Sequence, residues 1–211
     1  MAGVAADLVS ACRRAGVRDE RLLAAIGDVP RAEFVSADLV DRAYEDSPLP
    51  IPHGQVTTQP SLVAAMLEAL GLSGSERVLE IGTGYGWQTA LLARLAASVW
   101  SVERYGGLAA FAEGALERQR VGNATVVVGD GSLGLASHAP YDAVLVAAAF
   151  PSVPEPLVAQ LAAGGRLVQP IGPGGAEDVV LFERTDAGLE RVRSVIGAHF
   201  VRLYGRHGFP A

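Results

Sequence analysis

Apolar positions recur at helical spacing over the first part of the chain and at strand spacing further on. Ala5, Leu8, Val9 and Cys12 share one side of a helix predicted from Val4 to Ala15, while Asp7, Arg13 and Arg14 take polar positions. Gly16 can stop that helix, and Asp19 can cap a second one with Leu22, Leu23 and Ile26 as its apolar face and Gly27 at its end. Pro30 suits the first turn of a further helical piece through Phe34 and Val35. No strand signal precedes Tyr44, so residues 1–50 read as a helical layer. Pro48, Pro50 and Pro52 then keep Ser47 to Gln55 extended, and Ser61 to Leu70 returns to helix with Leu62, Val63, Met66, Leu67 and Leu70 apolar.

From here short apolar runs alternate with helices. Val78, Leu79 and Ile81 read as a buried strand and Gln88 to Leu95 as a helix. The run Ala97 to Val102 is a second strand, Gly107 to Arg120 a helix, and Ala124 to Val128 a third strand. Tyr141 to Ala149 is the most apolar run and predicts a central parallel strand covered on both faces. Pro154 to Leu161 predicts the next helix, which Gly164-Gly165 ends ahead of a strand over Arg166 to Ile171. Asp178 to Arg184 and Glu190 to Ile196 flank Asp186-Ala187-Gly188, a hairpin signature. The plan is α/β: a mostly parallel twisted sheet with helices on both faces, C-terminal antiparallel strands and an N-terminal helical layer. One domain is expected, divided into residues 1–50 (helical segment), 51–60 (loop), 61–175 (core) and 176–211 (antiparallel strands).

The candidate chemistry sits where these elements join. Gly82-Thr83-Gly84-Tyr85-Gly86 follows a strand and opens a helix, so its backbone can approach a ligand and the helix N-terminus offers free N–H groups. The spacing is Gly-x-Gly-x-Gly and not the dinucleotide fingerprint, and Glu80 ahead of the first glycine is also unlike a nicotinamide site. Glu103, at the end of the second strand, is placed to accept from ribose hydroxyls. Gly129-Asp130-Gly131 puts a carboxylate at the third strand's end, where it reads either as a contact to a base or as a plain turn. Thr57 and Thr58 precede a helix; alone they read as its cap, and alternatively as polar groups facing a ligand.

Composition narrows the partners. The net charge of −6 and the lack of a basic run argue against nucleic acid. The single Cys12 excludes a disulfide framework and a Cys-based zinc cluster, so no metal is expected. No stretch is apolar enough to span a bilayer and no signal-type segment opens the chain, so a cytoplasmic monomer is expected.

Read in order, the motifs resemble the protein-L-isoaspartate O-methyltransferases. Val29-Pro30-Arg31 with Phe34-Val35, Tyr44-Glu45-Asp46, Pro48 to Ile51, Gly54-Gln55 through Gln59-Pro60, Val78 to Gly84, Gly129-Asp130-Gly131, Pro140 to Ala143, Leu161 to Leu167 and Phe200 to Leu203 all carry the likeness. The resemblance implies a Rossmann-like class I methyltransferase that uses S-adenosylmethionine and methylates the free α-carboxylate of L-isoaspartyl residues in damaged proteins or peptides. It implies cofactor contacts from Glu80, Gly82, Thr83, Gly84, Glu103, Asp130 and Gly131, with Thr57, Thr58, His53 and Gln59 facing the substrate and Thr58 as the catalytic hydroxyl. Two positions depart from the pattern: Thr58 stands where the family usually has serine, and Pro52-His53 where it tends to have Gly-Tyr. The chemistry needs alignment and no general base, because the attacking carboxylate is already ionised; a hydroxyl-bearing loop with no cation beside it would suit. Alternatives of the same lineage are a methyltransferase dedicated to one peptide's aspartate and a non-catalytic cofactor-binding protein; a nicotinamide oxidoreductase is disfavoured by the glycine spacing.

Overall fold

The structure, a computed structural model, describes residues 2–210. Helices α1 (Ala2–Arg14) and α2 (Glu20–Asp28) lead into two short 3-10 turns, and Asp19 caps α2 by accepting from Arg21 N and Leu22 N. A small antiparallel hairpin follows, β1 (Leu49–Ile51) and β2 (Gln55–Thr57), and then α3 (Pro60–Leu70). The alternating part comprises β3 (Arg77–Ile81), α4 (Trp87–Leu95), β4 (Ser98–Glu103), α5 (Gly106–Arg118), β5 (Ala124–Val128), β6 (Tyr141–Val146) and α6 (Glu155–Gln160). Three long strands complete it: β7 (Leu161–Ile171), β8 (Glu177–Thr185) and β9 (Gly188–Ala198).

Seven strands form one sheet in the order β5-β4-β3-β6-β7-β8-β9. The first five in that order are parallel, and β8 and β9 pair antiparallel. Period-two alternation sorts side chains between the faces. Val78, Ala143 and Leu145 join the core formed with α1 to α4, while Leu79, Ile81, Val144 and Val146 join the opposite core with Leu157 of α6. The two faces are unequally covered, since α6 has six residues and the helices before it lie on the other side.

Three local expectations need correction. Ser47 to Gln55 is not merely extended but enters a hairpin, turned by positive φ at His53 (63°) and Gly54 (66°). Strand β7 begins at Leu161, so Gly164-Gly165 lie inside it rather than ahead of it. Neither threonine caps α3, whose N-cap is Gln59 without a side-chain bond; Asp46 Oδ1 instead accepts from Ser61 N at 2.9 Å.

Strand order reverses between β3 and β6, because β4 and β5 lie to one side and β6 and β7 to the other. Parallel sheets bind ligands outside their carboxyl ends at such a point.

Candidate active site

The loop leaving β3 occupies that point. Gly82, Gly84 and Gly86 have φ of 95°, 56° and 91°, a region that side-chain-bearing residues rarely adopt. Its glycine amides are taken up within the protein: Gly82 N donates to Val102 O, Gly84 N to Glu103 Oε2 and Gly86 N to Thr83 O, each at 2.9 Å. The glycine amides are thus engaged, while the free N–H groups expected of the helix N-terminus belong to the first turn of α4, ahead of Ala90 N, which donates to Gly86 O.

Glu80 lies beneath the loop, fully buried, and does not line the pocket. Gln88 Nε2 donates to one of its oxygens at 2.8 Å, and Thr89 and Ser101 hydroxyls to the other at 2.5 Å each. Since the Ser101 proton goes to Glu80, Thr83 donates in turn to Ser101 across 2.5 Å. Burial pushes the Glu80 carboxyl up to about 7, against the pull of its three donors and with Glu103 adding to the rise. This residue braces the loop and the start of α4 from below.

Glu103 ends β4 with 5% of its surface exposed and lines the pocket. One oxygen accepts from Gly84 N and the other from Tyr105 N at 3.0 Å, which leaves each a further lone pair. Gly131 also lines the pocket, and a Cβ there would collide with the Ile81 side chain. Asp130 is turned elsewhere: it accepts from Ser132 N, the Ser132 hydroxyl and Arg206 N. Desolvation raises its pKa, yet the Arg206 N–H and the two Ser132 bonds outweigh that and leave it below the usual value.

The loop between β2 and α3 forms the opposite wall. Thr57 and Thr58 both line the pocket. His53, at the exposed hairpin tip, stacks on pocket-lining Tyr105 with ring centroids 4.1 Å apart. Gln59 Nε2 donates to Asp46 Oδ2 and Ser61 Oγ, so that side chain fastens the loop to its own neighbours.

Residues that sequence reasoning left without a role complete the site. Arg31 is 1% exposed, reaches the pocket and donates to Thr57 Oγ1 at 2.9 Å, so the loop does have a cation beside it. Burial draws its guanidinium down to about 10, opposed by Asp46 and Glu45, so it stays charged at neutral pH. Val201 to Tyr204 return from the C-terminus to form another part of the wall. The motifs Val29-Pro30-Arg31 and Phe200 to Leu203 marked both segments in the sequence, but neither motif revealed that its residues wall the pocket.

One pocket thus gathers Thr57, Thr58, Gly82, Thr83, Gly84, Glu103 and Gly131, lined elsewhere by Ile81, Val102, Leu108, Ala147, Ala148 and Leu203. Apolar walls beside a two-oxygen acceptor match a flat base joined to a diol. The model of the protein-L-isoaspartate(D-aspartate) O-methyltransferase family matches residues 4–208. The chain belongs to that family. Among curated protein-L-isoaspartate O-methyltransferases, it is 53% identical to one from Anaeromyxobacter dehalogenans over 191 residues, covering 89% of this chain and 91% of the relative. It is 48% identical to one from Methanoculleus marisnigri over 197 residues, covering 93% and 89%. A solved protein-L-isoaspartate O-methyltransferase superposes with a TM-score of 0.86 at 30% identity, covering 97% of this chain and 67% of that one. A Plasmodium falciparum protein solved with S-adenosyl-L-homocysteine shares the fold, with a TM-score of 0.80 at 21% identity and coverage of 93% and 96%. Among the described residues no His, Cys, Asp and Glu cluster could hold a metal ion, and no helix is long and apolar enough to cross a membrane.

Proposed function

We propose that this family member transfers a methyl group from S-adenosylmethionine to the free α-carboxylate of an L-isoaspartyl residue in a damaged protein or peptide. The observation that carries the reading is the single pocket in which the threonine loop faces the glycine loop and Glu103. The lining fits the cofactor: positive-φ glycines, apolar walls and the Glu103 oxygens suit adenosine, with Gly82, Thr83, Gly84, Glu103 and Gly131 as its contacts. When bound, the cofactor supplies an electrophilic methyl on a positively charged sulfur.

The chain's own residues have alignment and exclusion of water to do. The substrate carboxylate, with a reference pKa near ~4, is ionised at neutral pH and needs no base. Thr58, which lines the pocket and whose hydroxyl has no hydrogen-bond partner among the described residues, is the proposed catalytic contact, with Thr57 beside it. A hydroxyl donor orients the carboxylate without neutralising it as an ion pair would. Glu80 supports the glycine loop, and Asp130 contributes by fixing the C-terminal wall. The net charge of −6 supports a protein or peptide substrate over nucleic acid, and we place the enzyme in the cytoplasm as a monomer.

The deciding experiment offers the enzyme an isoaspartyl peptide and its ordinary aspartyl twin with labelled methyl donor. Methylation confined to the isoaspartyl peptide is expected. Equal methylation of the twin would favour a dedicated aspartate modification, and no transfer to either would remove the assignment.

A further inference from the structure

Thr57 Oγ1 accepts two hydrogen bonds, from Arg31 Nη2 at 2.9 Å and from Leu49 N at 3.1 Å. A hydroxyl oxygen has two lone pairs and one proton, so both acceptor sites are filled and only the donor is free. No protein group receives that proton among the described residues, yet Thr57 lines the pocket. The hydroxyl is therefore held as a donor with one direction left to it. Thr58 differs, since no partner among the described residues fixes its hydroxyl.

Arg31 is built for this task and not for direct contact. Its Nη1 donates to Ala43 O at 3.0 Å and Glu45 O at 2.9 Å, and its Nη2 donates to Ser47 O at 3.1 Å as well as to Thr57. The four Nη hydrogens are thus engaged, and the guanidinium lies 5.5 Å from the ring centroid of Trp87, the first residue of α4. A cation that donates to a hydroxyl makes that hydroxyl a stronger donor, because linked hydrogen bonds polarise one another.

We infer that Thr57 is the oriented donor to the substrate's carboxylate, and that Arg31 is a positioning residue acting through it. The buried cation thereby steadies the nucleophile through a neutral group, with no ion pair that would hold the ground state too tightly. This inference rests on the proposed methyl transfer to isoaspartyl peptides, so wild-type activity on such a peptide is measured first.

Thr57→Val should lower kcat/KM for the peptide about tenfold to a hundredfold, in the range of losing a hydrogen bond to a charged group. Calorimetric affinity for S-adenosylhomocysteine should stay within about twofold, and Thr57→Ser should restore activity to within about threefold of wild type. Arg31→Lys keeps the charge but not the fork; it should cost about fivefold or more, and adding Thr57→Val to it should cost much less than Thr57→Val alone. It also serves as the second variant if Thr57→Val does not fold. Unchanged kcat/KM in Thr57→Val or in Arg31→Lys overturns the inference, as does a serine variant that loses as much as valine or a parallel loss of cofactor affinity. Absence of wild-type activity would overturn the functional reading and the inference together.

Discussion

Glu80 is the fully buried carboxylate beneath the site, and its position predicts a pH dependence. Its folded pKa of about 7 stands above the ordinary 4.5. A raised value means that folding favours the protonated form, so this contribution is complete below the ordinary value and is lost as pH rises through about 7. Thermal melts should fall between pH 5 and pH 8 by an amount on the order of a few kcal/mol in stability, and Glu80→Gln should flatten that slope. An identical slope in the variant would show that the titration lies elsewhere. Glu103→Ala removes the acceptor for Gly84 N and Tyr105 N and the proposed diol contact, so calorimetry should record a cofactor affinity lower by roughly 1–3 kcal/mol. Thr58→Ala should lower turnover with cofactor affinity nearly intact, as read by initial rates and the same titration. Both Glu80 and Glu103 stood out in the sequence, but only Glu103 reaches the pocket. The difference is one of depth and not of face: Glu80 pairs with Ser101 and so shares a sheet face with Glu103, but it lies beneath the glycine loop, bonded to Gln88 and Thr89 of α4, whereas Glu103 ends its strand, and a linear motif does not reveal that.

At the scale of elements, the buried parallel strands were legible because continuous apolar runs such as Ala143 to Val146 leave little choice. The β1–β2 hairpin was not. Its strands are three residues each, too short to display a period, and prolines at positions 48, 50 and 52 conceal the pairing of Leu49 with Thr57. The N-terminus of α3 was misread for a related reason, because Asp46, which accepts from its Ser61 N, lies fifteen residues away on the far side of that hairpin. Asp46→Ala should therefore cost about 1 kcal/mol, the usual size of a lost cap. Because Asp46 also receives Gln59 Nε2, the peptide KM should rise as the threonine loop loosens. A lower melting temperature with an unchanged KM would confine Asp46 to the helix alone.

For the molecule as a whole, the order of parallel strands followed by an antiparallel hairpin was readable from the alternation of periods. The return of the C-terminal segment was not, since it depends on contacts between distant residues. Glu177 Oε2 accepts from Phe200 N at 2.7 Å, Ala149 exchanges backbone bonds with Val201 and Leu203, and Asp130 Oδ2 accepts from Arg206 N at 2.7 Å. The lowered pKa of Asp130 means that its contribution is present above the ordinary carboxylate range and fades as pH falls through its folded value. Asp130→Asn should make residues near 206 more accessible to proteases at neutral pH and weaken cofactor binding, while far-ultraviolet circular dichroism stays the same. Unaltered digestion would mean that the other anchors suffice.

That late-returning wall has a consequence during synthesis. Ribosomes release the glycine loop and the threonines long before residues 201–206, so a partly made chain lacks a side of its own pocket. Products that stop before residue 201 should be catalytically silent, and competence should arrive only once residues 201–206 have been made.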